Sequence, residues 1–337
     1  MKSRNHDTDI VPAQLAIVET ISRIYGNPLA APNSVCYEWA KDLGLRRGGE
    51  TVLYTGCLYQ LMAYADSLVD MYERLGDWGV RISRLFTSIS PKLFSWFASK
   101  LVKPDKKILD YSSRTLRSIA KLLRASGVDF GYLYEKDLYS GIYLYELGLE
   151  DLFAQHAAIV YKQLVGEGVK RIITVDPHTT YVLREIYPRY VEGFEIEVKH
   201  YLELIGVKGN ITSNKAFTIS DRVKLPVIHD SCYMVRKLGL YDATRNAAKN
   251  IRYIEPKNSG VKTLCCGGPI EGISPKLALR IATKRAKELA STGSDRVIVM
   301  CPICFTNLER AFNMLGYKNI SITDLAEEIL SRAGGDS

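Results

Sequence analysis

Asp295-Arg296-Val297-Ile298-Val299-Met300-Cys301-Pro302-Ile303-Cys304 is a short apolar run that ends in a cysteine, a proline and a second cysteine. Its length and β-branched content read as a buried strand, and Pro302 closes it because proline has no N–H for a ladder. Upstream, Leu279, Ala282, Ala286 and Leu289 recur at spacings of three and four, so a helix leads through a Gly-containing turn into that strand. The same unit stands earlier in the chain. There Phe153, Ala157, Val160 and Leu164 precede Lys170-Arg171-Ile172-Ile173-Thr174-Val175-Asp176-Pro177. A second pair also matches: Thr51-Val52-Leu53-Tyr54-Thr55-Gly56-Cys57 and Pro226-Val227-Ile228-His229-Asp230-Ser231-Cys232. This is an internal repeat. The matched strands lie farther apart in the first half, which places an inserted helical region at about 80–125.

Helix, turn and buried strand in alternation predict an α/β fold of two pseudo-symmetric α/β domains with mainly parallel sheets, in which ligands sit beyond the carboxyl ends of strands. The expected divisions are an N-terminal helical segment at 1–49, a first domain at 50–195 and a second at 196–337 that carries the metal site. Val191 to Lys224 should link the halves, and Thr323-Asp324 should cap a final helix. Within the insertion, the stretch from Leu93 to Lys103 is apolar, aromatic and flanked by lysines. It reads either as packing onto the insertion's own helices or as a surface for a partner or a peripheral membrane contact.

The chain has 337 residues, a formal net charge of +8, 47% hydrophobic and 24% charged residues. No stretch approaches the roughly 20 apolar residues needed to cross a bilayer. The basic residues are dispersed among acidic ones and no nucleic-acid module is recognisable, so the positive balance reads as a solvated surface with no nucleic-acid partner. Met1 to Gln14 is polar and contains Asp7 and Asp9, which is not the pattern of a secretory signal, and a cytoplasmic address is expected. In a reducing compartment, seven cysteines point to metal binding or redox chemistry rather than disulfides.

Cys36 and Cys57 are isolated, whereas Cys232, Cys265, Cys266, Cys301 and Cys304 crowd the second half. Thiolates converging from three loops of one α/β domain can hold an iron-sulfur cluster. Gly267, Gly268 and Pro269 leave room for backbone N–H groups to approach inorganic sulfide. Zinc is the alternative: Cys232, Cys301 and Cys304 with Cys265 or Cys266 would supply four tetrahedral ligands. His229 reads as a hydrogen-bond donor beside Cys232 and His200 as facing an interdomain groove, each with a purely structural alternative.

Three stretches carry a resemblance: His229-Asp230-Ser231-Cys232-Tyr233, Cys265-Cys266-Gly267-Gly268-Pro269 and Cys301-Pro302-Ile303-Cys304-Phe305-Thr306-Asn307-Leu308. Over about 226–315 the chain resembles the CCG, or cysteine-rich, domain family. That family includes the cysteine-rich subunit of heterodisulfide reductase and the iron-sulfur subunits of glycolate, D-lactate and glycerol-3-phosphate dehydrogenases. From about residue 50 onward the chain also resembles the family's tandem arrangement of two such domains. The resemblance implies that the five cysteines hold a 4Fe-4S cluster, non-cubane in the heterodisulfide reductase branch. It implies an iron-sulfur subunit of an oxidoreductase complex, which passes electrons and in that branch reduces a disulfide.

The first half departs from the pattern and reads as a degenerate CCG-like domain. Only Cys57 stands there; Tyr139-Ser140-Gly141 falls where a second CCG belongs, and Asp176-Pro177-His178-Thr179 where a second CxxC belongs. One cluster is therefore predicted. Cys57, Asp176 and His178 either line a pocket facing it, with Cys57 and His178 as catalytic candidates, or are structural remnants. The family's CxxCxxC ferredoxin module is not in this sequence, so other oxidoreductase subunits or a ferredoxin-like carrier would supply electrons. The competing function is a non-catalytic scaffold or interaction protein stabilised by zinc or a cluster.

Overall fold

A computed structural model describes residues 10–65, 67, 102–208 and 224–332. The apolar part of the expected docking stretch, 93–101, lies outside the described residues. Two parallel sheets carry the chain, and both are built from the repeat. In the first, β1 (Thr51–Tyr54) lies between β2 (Gly131–Tyr132) and β3 (Arg171–Thr174), and β3 pairs with β4 (Glu197–His200). In the second, β5 (Val227–Ile228), β6 (Arg296–Val299) and β7 (Ser321–Asp324) follow in order, and Val227 bridges to Ile254 on its other side. Every pairing is parallel. β1, β3, β5 and β6 have almost no polar face: Val52, Leu53, Ile172, Ile173, Val227, Ile228, Val297 and Ile298 are all buried. That is the pattern of sheets covered by helices on both sides.

β4, in the stretch read as linking the halves, pairs along its whole length with β3, Ile172 opposite Val198. Its alternating exposed and buried residues mark an edge strand, which a search for continuous apolar runs passes over.

The helices that bear on the site and its supports are α1 (Ile10–Tyr25), α2 (Lys106–Ala125), α3 (Ile142–Glu146), α4 (Glu150–Gly166), α5 (Pro177–Tyr181), α6 (Pro275–Ala290), α7 (Pro302–Met314) and α8 (Leu325–Arg332). α2, the described part of the insertion, starts where the Asp105 carboxylate accepts the Lys107 and Ile108 N–H groups. It is a seam element rather than an appendage, for Tyr111 stacks on Phe305 of α7 and Thr115 donates to Glu327 of α8. α8 begins as expected, with the Asp324 carboxylate accepting the Ala326 N–H at 2.9 Å.

The reading of all cysteines as thiols is overturned at one place. Cys36 and Cys57 form a disulfide, closing 21 positions of chain. Gly56 and Cys57 both adopt left-handed φ, +53° and +59°, in the turn after β1. Buried Asp137 braces that turn by accepting the Thr55 and Gly56 N–H groups. This tight reversal turns the Cys57 sulfur toward the short helical turn Asn33–Cys36. Strand and spacing patterns carry no information about so non-local a pairing.

Candidate metal centre

All five cysteines of the second half remain free. Each follows from a turn that the local sequence dictates. Cys232 comes just after β5, and Cys301 just after β6, at the carboxyl edge of the sheet. Cys301 is the N-cap of α7 with Pro302 in the first turn, so Cys304 points back from that same turn. A helix N-terminus favours thiolate, because its unpaired N–H groups carry partial positive charge. Cys265 and Cys266 precede Gly267, whose φ of +87° and crowded flank admit no side chain; a Cβ there would lie 2.4 Å from the Ala278 carbonyl oxygen. A Cβ on Gly268 would meet Ile303 at 2.4 Å.

The sulfurs form an unbroken set. Cys232 Sγ and Cys265 Sγ are 3.9 Å apart. Cys265 also interacts electrostatically with Cys266, Cys266 with Cys304, and Cys304 with Cys301. The Gly267 N–H points at Cys265 Sγ, 3.2 Å away. Cys266, Cys301 and Cys304 are buried, while Cys232 and Cys265 are half-exposed, so the set has one open edge. Contacts with Cys232 and Cys266, then the Gly267 N–H, hold the Cys265 thiol below its ordinary range. Burial opposes ionisation of Cys301, yet Cys304 and His178 outweigh it and lower that thiol as well.

Two imidazoles approach this set from opposite halves. A ring nitrogen of His229 lies with Cys266 Sγ and Cys304 Sγ within 4.8 Å of one another. Burial first, and then the neighbouring Arg285 guanidinium, push His229 well below its usual range, so it is neutral. His178 reaches Cys301 from α5. Burial works against its charge, but the Cys301 sulfur and Glu146 raise it to about 10. Its Nδ1 lies 3.3 Å from Glu146, and the ring stacks on Tyr233 with centroids 3.9 Å apart. The Tyr233 hydroxyl donates to the same Glu146 carboxylate. The residue after Cys232 thus closes a clasp with two residues of the first half.

The first half keeps the frame and loses the ligands. Gly141 opens α3 with φ of +84°, as Gly267 does at its own turn, and Ser140 stands in the place of Cys266. Asp176 stands in the place of Cys301 and caps α5, Oδ1 accepting the His178 and Thr179 N–H groups at 2.9 Å each. Burial raises its carboxyl to about 6. Of the three first-half candidates, the structure brings His178 to the cysteines, makes Asp176 a helix cap and ties the Cys57 sulfur to Cys36. His200 faces no groove: it is fully buried at the end of β4, its Nδ1 accepting the Leu202 N–H, and burial lowers it to about 3.

Sequence reasoning missed Glu146, Tyr233 and Arg285. The last had a signal, since Arg285 falls on the same face of α6 as Ala278, Ala282 and Leu289, where three small or apolar neighbours leave room for a long side chain.

Residues 227–309 match the family model of the cysteine-rich domain, CCG. That stretch is similar to the CCG domain and holds all five of the clustered cysteines. Curated relatives share a larger part of the chain. A probable membrane-anchored ferredoxin of Chromohalobacter salexigens is 30% identical over 225 residues, 65% of this chain and 33% of that protein. The probable iron-sulfur-binding oxidoreductase FadF of Bacillus subtilis is 30% identical over 202 residues, 58% of this chain and 28% of its own length. One subunit of the dihydromethanophenazine:CoB–CoM heterodisulfide reductase of Methanosarcina mazei is 25% identical over 227 residues, 63% of this chain and 52% of the relative. The chain spans between a little over a quarter and about half of the length of these relatives. Five converging thiols in a CCG domain, with glycines where a cluster's sulfides need room, fit an iron-sulfur cluster. Among the described residues no helix is long and apolar enough to cross a membrane.

Proposed function

We infer that this protein is an iron-sulfur subunit of an oxidoreductase complex, that Cys232, Cys265, Cys266, Cys301 and Cys304 hold one 4Fe-4S cluster, and that electrons pass through it. The observation that supports this most is the convergence of five free thiols from three loops at one sheet edge, one more than a tetrahedral zinc site uses. The cluster would supply one-electron transfer at that edge. The residues of the chain do the rest. Cys266, Cys301 and Cys304 keep three sulfurs away from water, and the half-exposed Cys232 and Cys265 leave a path for electrons or a substrate sulfur. The clasp of Glu146, His178 and Tyr233 closes the side toward the first half. Electrons would come from another subunit or a ferredoxin-like carrier, as the relatives' names suggest. Disulfide reduction is the finer reading, supported by the likeness to the Methanosarcina heterodisulfide reductase and by the open sulfur edge.

Iron, sulfide and zinc content of protein purified without oxygen tests the reading, together with electron paramagnetic resonance of oxidised and reduced samples. About four irons and four sulfides per chain with a redox-active signal is the expected result. One zinc and no sulfide would replace it with a zinc-stabilised scaffold.

A further inference from the structure

His229 looks at first like a sixth ligand, since one of its ring nitrogens lies with Cys266 Sγ and Cys304 Sγ within 4.8 Å of one another. The place of the ring proton decides otherwise. Arg285 Nε donates to His229 Nδ1 at 3.0 Å, and a guanidinium has no acceptor, so Nδ1 must carry the lone pair. A neutral imidazole with its lone pair on Nδ1 holds its proton on Nε2. Metal-binding histidines show the reverse arrangement: the remote nitrogen donates N–H to a carboxylate or carbonyl, which leaves the near nitrogen free to ligate. The arrangement is firmly held. Arg285 is fully buried, and its Nη1 donates to the Asn258 carbonyl at 2.9 Å and to Glu288 at 2.7 Å. His229 Nε2 is itself buried and has no hydrogen-bond partner among the described residues. A buried N–H without an acceptor is costly, and the Cys266 and Cys304 sulfurs, grouped with this ring within 4.8 Å, are the candidates to accept it.

We propose that Arg285 fixes His229 as an Nε2–H donor to the Cys266 and Cys304 sulfurs, so that the imidazole positions and tunes the bound cluster and is barred from ligating a metal. The proposal rests on the iron-sulfur reading above. A donor to cluster sulfur stabilises the more negative, reduced state and raises the reduction potential. The same lock works against a mixed His/Cys zinc site, because it withholds the nitrogen lone pair that zinc would use.

Pulsed electron paramagnetic resonance on the reduced, unmutated chain labelled with ¹⁵N-histidine is the direct test. A weak nitrogen coupling that survives His178→Gln and disappears in His229→Gln is expected; a strong coupling of a direct iron–nitrogen bond, or no coupling, would overturn the proposal. Potentiometric titration adds a second readout. His229→Leu should lower the midpoint potential, and His229→Gln, whose amide can donate from the same place, should recover part of the shift. A His229→Leu chain with full iron and sulfide and an unmoved potential would overturn it. If His229→Leu does not load, the spectrum of the unmutated chain and the potential of His229→Gln decide. Zinc without sulfide in the unmutated chain would sink the functional reading itself, whereas a loaded cluster without the weak coupling would sink this proposal alone.

Discussion

The ring of Tyr111 lies flat on the ring of Phe305, centroids 3.5 Å apart and planes 8° from parallel. Phe305 directly follows Cys304, so this contact ties a helix of the inserted region to the first turn of α7, which bears Cys304. Tyr111 is buried and its hydroxyl donates to Asp324, 3.2 Å away, at the end of the second sheet. Lys107, Arg114 and Lys318 help rim a cleft of about 580 Å³ that these two rings also line.

Tyr111→Ala is therefore expected to cost about 3–5 kcal/mol, the range for deleting a buried aromatic ring. Tyr111→Phe keeps the stack and loses one hydrogen bond, which should cost about 1 kcal/mol. Equilibrium denaturant unfolding of both variants checks this, and equal losses would show that the stack contributes little.

Asp324 gives the fold a pH dependence of known sign. Burial raises its carboxyl to about 7, against an ordinary value of 3.8. A carboxyl raised on folding stabilises fully below its unfolded pKa, and this contribution is lost as pH rises through the folded value. Stability should thus decline between about pH 4 and pH 7, with Asp137, raised to about 6, adding to the same slope. Asp324→Asn should match the parent near pH 4 and exceed it above pH 7, by an amount on the order of 1–4 kcal/mol. Parallel stability curves for the two proteins would remove Asp324 as the cause.

The disulfide and the cluster cysteines should separate cleanly. Cys266→Ala is expected to lose iron and sulfide. Cys57→Ala is expected to keep both, yet to unfold about 3 kcal/mol more easily than the oxidised parent, the loop-closure value for 21 positions of chain. A reductant should abolish that difference. Loss of iron from Cys57→Ala would tie the two sites together.

Two glycine substitutions should behave differently although both residues have positive φ. Gly293→Ala, with nothing near its missing Cβ, should cost about 1 kcal/mol through backbone strain alone. Gly267→Ala adds a collision with the Ala278 carbonyl and must displace Cys265 or α6. It should cost clearly more and reduce iron content. Comparable melting points and full iron in both would show that the turn yields without moving the cysteine.

Much of this molecule is legible from local pattern. The four apolar runs that open onto Cys57, Asp176, Cys232 and Cys301 became β1, β3, β5 and β6 because their burial is continuous along the chain. The spacing of the second-half cysteines identified loops that the sheet then gathered. Other features needed the third dimension. Glu146, His178 and Tyr233 come from three separated segments, and no spacing rule connects them. Arg285 sits between the solvated Lys284 and Lys287, and only its place on the helix face of Ala278, Ala282 and Leu289 sets it apart. The Cys36–Cys57 bond depends on a left-handed residue at Cys57, a conformation uncommon for any residue but glycine and so without a sequence signature.

The clasp across the seam has a consequence for assembly. Cys301 belongs to one half of the chain, and the imidazole that lowers its thiol belongs to the other. Tyr233, next to Cys232, reaches back to Glu146 in the same way. A second half that emerges and folds alone would have its cysteines in place but one wall missing, with Cys301 open to oxidants and stray metals. Only the docked pair walls off the side at Cys301, so the order of events in the cell should be folding of both halves first and metal loading afterwards, with retention of iron serving as a check that the two halves have met.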